Sequence, residues 1–285
     1  MSKLKHTNFS YLILILALFF YSCSSSNDEG EYSERSVEEI YNSALNELES
    51  KNYIGAAREF EELERQHPYS AWAKQAQIMT AYARYLRNDY NEAIAAAQRY
   101  IELHPGADDI DYAYYLVAIS YYERISDVKR EQSMTKIARD SFNELIRRFP
   151  DSTYARDSRQ KLFLVLDHLA GKDMEVGRTY LSFDNYVAAI NRFKSVVENY
   201  PNTSHVPEAL ARLTEVYFKL GVFSEAKASA AVLGHNFPEN YWYKYTYKLL
   251  SEYKNSSNSD QIENINIEDS NISFLDEILS IFEGN

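Results

Sequence analysis

Five of the six prolines close stretches that align with one another: NYIGAAREFEELERQHP (52–68), DYNEAIAAAQRYIELHP (89–105), TKIARDSFNELIRRFP (135–150), NYVAAINRFKSVVENYP (185–201) and VFSEAKASAAVLGHNFP (222–238). Twelve residues before each proline stands an alanine: Ala56, Ala93, Ala138, Ala189 and Ala226. Eight before it come Phe60, Ala97, Phe142, Phe193 and Ala230, and five before it Leu63, Tyr100, Leu145, Val196 and Leu233. Steps of four and three place these positions on one stripe of a helix. Proline lacks the N–H that a continuing helix needs and pushes its predecessor out of the helical region. Each stretch is therefore predicted to be a helix that stops just short of its proline.

The prolines lie 37, 45, 51 and 37 residues apart, and an aromatic sits fifteen before four of them (Tyr53, Tyr90, Tyr186, Phe223; Thr135 is the exception). This pattern resembles the tetratricopeptide repeat, in which a small residue lets two helices approach closely. An amphipathic partner helix is predicted upstream, as in Val37, Ile40, Tyr41, Ala44, Leu45 and Leu48. Ser70, Ser152 and Thr203 stand two residues after a proline, where each is expected to cap the next helix. A single helix pair cannot bury its apolar face alone, so the fold expected is an all-α solenoid of about five pairs over 36–253. The wider spacings predict a loop at 124–134 and a longer first helix over 153–173. Residues 254–271 are polar and predicted to be a disordered linker. In 272–285, Ser273 and Asp276 resemble a capping box, and Leu275, Ile278, Leu279 and Phe282 share one face. That tail helix either docks on the solenoid or is kept for a partner.

The N-terminus reads differently. Lys3 and Lys5 precede an apolar run, Tyr11 to Tyr21, and then Ser22 and Cys23, the one cysteine in 285 residues. This is the layout of a secretory signal over 1–22. Eleven apolar residues make a helix of about 16 Å, short of a hydrocarbon core about 30 Å thick. Cys23 has no partner for a disulfide, and the polar SSSNDEGEYSER after it can bury neither a thiol nor a catalytic pocket. Ser22–Cys23 resembles a bacterial lipobox, which implies a lipidated Cys23, residues 23–35 as a flexible tether, and a membrane reached by the lipid anchor only. Several acyl chains on one cysteine hold firmly where one does not.

Removing residues 1–22 takes Lys3 and Lys5 and no acid, so 30 basic residues become 28 against 42 acidic, and the formal charge goes from −12 to −14. That argues against nucleic acid as a partner. The eight glycines form no phosphate-binding loop. His67 and His104 share one position of the repeat and read as structural. Asp108, Asp109 and Asp111 read as favouring the start of the next helix more readily than as a cation site. No catalytic constellation, metal site or cofactor is expected, and the chain reads as a non-enzyme. Its 25 tyrosines are the feature to explain. In IDYAYYLVAISYYERI (110–125), Tyr112, Tyr115, Ile119 and Tyr122 share one face and Tyr114, Ala118, Tyr121 and Ile125 another. Such a helix is packed on both sides, or packed once with an aromatic face left for a ligand.

Four segments in order carry a more specific resemblance: QHPYSAWAKQAQIMTAYARY (66–85), IDYAYYLVAISYY (110–122), ARDSFNELIRRFPDSTYARDSRQKL (138–162) and DHLAGKDMEVGRTYLSFDNYVAAINRF (167–193). They resemble the BamD family of outer-membrane lipoproteins, subunits of the machine that assembles β-barrels. The resemblance implies a lipid-anchored protein on the periplasmic side of the outer membrane. It implies two partners: the POTRA domains of the integral barrel insertase, and unfolded outer-membrane protein clients. Carried over, Tyr69, Trp72, Tyr82, Tyr112 and Tyr115 are candidates for lining a client groove. Tyr180 and Arg192 are candidates for facing the insertase. The loop at 124–134 and the segment after 239 depart from the family pattern. A scaffold for another envelope or glycan-uptake complex is the competing expectation.

Overall fold

The residue before each repeat proline is where each second helix stops. In the computed structural model, which describes residues 34–259 and 268–283, these are His67, His104, Phe149, Tyr200 and Phe237. All five leave the helical region alike, with φ between −130 and −136° and ψ between 47 and 60°. Each still donates its N–H to the carbonyl of the residue five before the proline, from Leu63 to Leu233.

The described residues form helices and no strand: α1 (Val37–Glu49), α2 (Tyr53–Gln66), α3 (Ala71–Leu86), α4 (Tyr90–Leu103), α5 (Ile110–Tyr122), α6 (Ser133–Arg148), α7 (Thr153–Ser182), α8 (Tyr186–Asn199), α9 (Val206–Lys219), α10 (Phe223–Asn236), α11 (Tyr241–Ser259) and α12 (Glu268–Glu283). Through α10 they pair as the proline spacing predicts. Each helix packs on the next, and α1, α3, α5 and α7 also stack as a row of first helices. The core is accordingly a string of clusters and not one centre: α1–α3, then α3–α5, then α5–α7, then a larger C-terminal cluster from α7 to α12. All fifteen stripe positions named above are wholly buried.

The turn inside each pair follows a rule of its own. Lys51, Asn88, Asp184 and Gly221 have φ of 64, 68, 56 and 72°. Each stands seventeen residues before its proline. Only the third repeat lacks this left-handed turn. There a loop over 123–132 replaces it, held by Gln132, whose Nε2 donates to the carbonyls of Asp127, Val128 and Arg130.

Four boundaries differ from the sequence reading. Helix α7 runs to Ser182, nine residues past the expected end, because MEVGRTYLS contains no proline, and its one glycine, Gly177, lets α8 come close. A Cβ on Gly177 would stand 2.5 Å from Cε1 of Phe193. Thr203 does not cap α9, which begins at Val206 behind His205; its hydroxyl instead donates to the Tyr200 carbonyl. Ser36, Ser70 and Ser152 do cap, each accepting from an N–H in its helix's first turn. Helix α11 continues to Ser259, six residues into the stretch read as linker. Helix α12 starts at Glu268, so Ser273 lies within it and is not its cap. Residues 1–33, including Cys23 and the signal, and residues 260–267 lie outside the described residues.

Helix α12 docks against α10 and α11, which decides between the two readings of the tail. Leu275, Ile278, Leu279 and Phe282 are buried. Tyr243 packs its ring 4.7 Å from that of Phe282 and donates its hydroxyl to the Phe282 carbonyl. Lys227–Glu277 and Lys254–Asp276 pair across the contact. A solenoid exposes an apolar face at its last repeat unless something caps it.

Gly177→Val is expected to lower stability by about 2 kcal/mol through overpacking against the buried Phe193 ring. Gly106→Val, where a Cβ meets nothing within 4 Å, is the control expected to change little. Urea unfolding of both variants checks this.

Candidate functional site

Three successive first helices, α3, α5 and α7, turn tyrosines toward one another. Tyr82 of α3 lies 6.3 Å, ring to ring, from Tyr112 of α5. Tyr112 and Tyr115 flank Tyr154 of α7 at 5.0 and 5.1 Å. The three-residue step from 112 to 115 keeps both rings on one side of α5, and stacking of first helices brings the other elements to them. Each of these rings is half-buried. Asp157, one turn beyond Tyr154, accepts the Tyr115 hydroxyl at 2.6 Å. Tyr85, one turn beyond Tyr82, donates to Glu123 at 3.4 Å.

Burial pushes the Tyr85 hydroxyl up to about 12, with the Glu123 carboxylate adding to it. Burial likewise raises Tyr112, and raises Tyr115 together with its bond to Asp157. These hydroxyls are therefore neutral at any physiological pH. Those of Tyr82, Tyr112 and Tyr154 have no hydrogen-bond partner among the described residues. The face thus offers apolar area tipped with free donors and acceptors, which suits an extended peptide carrying both large side chains and unpaired backbone.

Of the five candidates for this face, the structure brings together Tyr82, Tyr112 and Tyr115. Trp72 sits ten residues before Tyr82 on α3, about 15 Å along the axis, and stacks edge-on to Tyr41 of α1 at 4.6 Å. Tyr69 lies in the turn before α3, fully exposed at 101%. Tyr85, Tyr154 and Asp157 were not singled out from the sequence. Tyr154 follows a helix cap in a different repeat, and nothing local marks it as a neighbour of Tyr112.

The second pair of candidates lies across α7 and α8. Tyr180 packs into the C-terminal core, and its carbonyl accepts the N–H groups of Phe183 and Asn185 as α7 ends. Arg192 reaches back to Asp173, Nη1 to Oδ1 at 3.1 Å, while Ser195 donates to the other oxygen of Asp173 at 2.8 Å. Between them the chain exposes Phe183 (78%) and Val187 (68%), apolar side chains on the surface of this turn.

Among the described residues no group of three or more His, Cys, Asp or Glu side chains could hold a metal ion. Asp109 accepts from the Tyr100 hydroxyl, and Asp111 accepts from Ser152 at 2.6 Å and from the Tyr112 N–H at 2.9 Å. His67 and His104 serve the same architectural end in two repeats. Nε2 of His67 lies 2.6 Å from the Arg35 carbonyl, and Nε2 of His104 lies 2.6 Å from Oε1 of Gln77. No helix of the described residues is long and apolar enough to cross a membrane.

The family described as YfiO, outer membrane lipoprotein, matches residues 33–233. The chain belongs to this family. A relative from Caulobacter vibrioides, outer membrane protein assembly factor BamD, is 47% identical over 221 residues, covering 78% of this chain and 72% of that protein. The protein of the same name from Rickettsia prowazekii is 44% identical over 252 residues, 88% of this chain and 100% of the relative. The solved TPR2AB-domain:pHSP90 complex of yeast Sti1 aligns at 12% identity and a TM-score of 0.40, covering 87% of this chain and 98% of that one. The YfiO match spans the tyrosine face and the α7–α8 turn alike, and ends before α11 and α12.

Raised tyrosine pKa values have a definite sign for stability. Each hydroxyl holds its proton more tightly folded than unfolded, so its contribution is complete below the ordinary tyrosine value of 10 and is lost as pH rises through the folded value, about 12 for Tyr85. The urea midpoint is expected to be unchanged by tyrosine ionisation up to about pH 9 and to fall above pH 10. A Tyr85→Phe, Tyr115→Phe double variant, followed by circular dichroism, should show a shallower alkaline fall.

Proposed function

We propose that this chain is lipidated at Cys23 and works at the periplasmic side of the outer membrane as a non-enzymatic scaffold for β-barrel assembly. The observation that carries the reading is its place in a family of outer membrane lipoproteins whose curated relatives are named as assembly factors. The tyrosine face over α3, α5 and α7 takes the client: an unfolded outer-membrane protein presents alternating large side chains and unpaired backbone, and half-buried rings with free hydroxyls meet both needs. The exposed Phe183 and Val187, with Tyr180 and Arg192 beside them, face the POTRA domains of the insertase.

The mechanism is positional. A tether from Cys23 to Arg35 spans at most about 40 Å, so the solenoid is confined near the leaflet and its effective concentration at the insertase rises. The tether leaves from a fixed point. Arg35 donates its N–H to Gln66 at 2.9 Å, offers its carbonyl to His67, and pairs with Glu59 at 2.9 Å, all three on or at the end of α2. A stack of rigid pairs then holds a client segment at a set distance from the insertase, and no bond is made or broken.

Affinity purification of the lipidated protein from gently solubilised membranes tests this, with co-purified proteins identified by mass. A POTRA-bearing barrel is expected near one-to-one. Phe183→Asp with Val187→Asp should remove it and leave client-peptide binding intact. Tyr112→Ala with Tyr154→Ala should do the converse, weakening a client peptide about tenfold, the cost of losing one or two aromatic anchors. Recovery of a nutrient-uptake channel alone would overturn the reading.

A further inference from the structure

A cleft of about 500 Å³ opens on a part of the molecule that neither face above uses, between α4 and α6 over the back of α5. Its floor is apolar: Ile101 of α4, Tyr114 and Val117 of α5, and Ile137 of α6, which is 37% exposed. Its rim carries Glu102 on one bank and Asp140 and Glu144 on the other. Asp140 is paired with Arg139 and Glu144 with Arg147 and Arg148, which leaves Glu102 as the rim's unpaired acid among the described residues.

The repeat supplies an internal comparison. The same wedge recurs between α8 and α10 over α9, with Val197 and Glu198 standing where Ile101 and Glu102 stand relative to their prolines, and Val232 where Glu144 stands. That wedge holds only about 190 Å³ and carries Lys194. The larger volume, and an unpaired Glu102 with no lysine beside it, are therefore not consequences of the repeat.

One end of the cleft already shows what it accepts. The guanidinium of Arg148 lies 5.2 Å from the centre of the Tyr114 ring and is hydrogen-bonded to Glu144. A cation over an aromatic floor with a carboxylate at its side is favourable there. Asp140 is engaged by its neighbour Arg139 at 2.9 Å. Glu102, across the cleft, has no partner among the described residues. We infer that this cleft docks a segment of a partner protein that sets a large apolar side chain on Ile101, Val117 and Ile137 and a lysine or arginine against Glu102. The opposite charge on the two sides sets the choice of partner more than the strength of binding.

Fluorescence anisotropy tests this with two labelled amphipathic helical peptides, one of leucine and lysine and one of leucine and glutamate, at about 0.15 M salt. The protein used is residues 24–285, which retain every helix and core described above. The leucine–lysine peptide is expected to bind and the leucine–glutamate peptide not. Ile137→Asp and Glu102→Lys, both at exposed positions, should each weaken binding about tenfold or more, as loss of an anchor does. Val232→Asp in the sister wedge and Tyr112→Ala on the tyrosine face should leave it unchanged, which separates this site from general attraction to an acidic protein and from the client face. Three results would overturn the inference: binding that survives both cleft variants, equal binding of the two peptides, or no binding of either at millimolar peptide.

Discussion

Close approach of paired helices at an alanine is the contact on which the rest of this molecule depends. With Ala56, Ala93, Ala138, Ala189 and Ala226 wholly buried, each second helix can lie against its neighbours with no side chain intervening. The ring or methyl four residues on then fills the space this leaves. At α7 and α8 a glycine adds to this, since Gly177 gives way to Phe193. Every other property follows from this interlock. It makes the core a string of local clusters, aligns first helices into a row, and so carries Tyr82, Tyr112 and Tyr154 from three separate repeats onto one surface.

The fold was legible because its signals are local. Proline acts on its own residue and the one before, and a stripe of fifteen buried positions has the period of a helix. The left-handed turn at Lys51, Asn88, Asp184 and Gly221 was not, because four different residues fill it and only the backbone is shared. The length of α7 was underestimated for lack of a stop signal, and Thr203 was misread because its spacing from proline matches two true caps. The tyrosine face was half legible. The step from Tyr112 to Tyr115 announces a shared side of one helix, whereas Tyr154 and Asp157 meet them only through stacking. Tyr69 and Trp72, close in sequence to Tyr82, stand apart from it for the same reason.

The three surfaces lie on different parts of the stack. Half-buried neutral tyrosines face one way over α3, α5 and α7, exposed Phe183 and Val187 mark the α7–α8 turn, and an apolar wedge opens between α4 and α6. Helix α12 seals the C-terminal end, while Arg35 fixes the N-terminal exit. In a family of outer membrane lipoproteins, this arrangement suits the scaffold proposed above. Asp109 and Asp111 hold one repeat to the next through Tyr100 and Ser152, and His67 and His104 tie together their own helix pairs through Arg35 and Gln77.

Depletion of the protein in growing cells, with outer-membrane proteins quantified by mass spectrometry as it disappears, tests the central claim most directly. Many β-barrels of unrelated function are predicted to fall together, and before the bulk lipoproteins do. A fall confined to one uptake system, with the remaining barrels at normal levels, would contradict a role in their assembly.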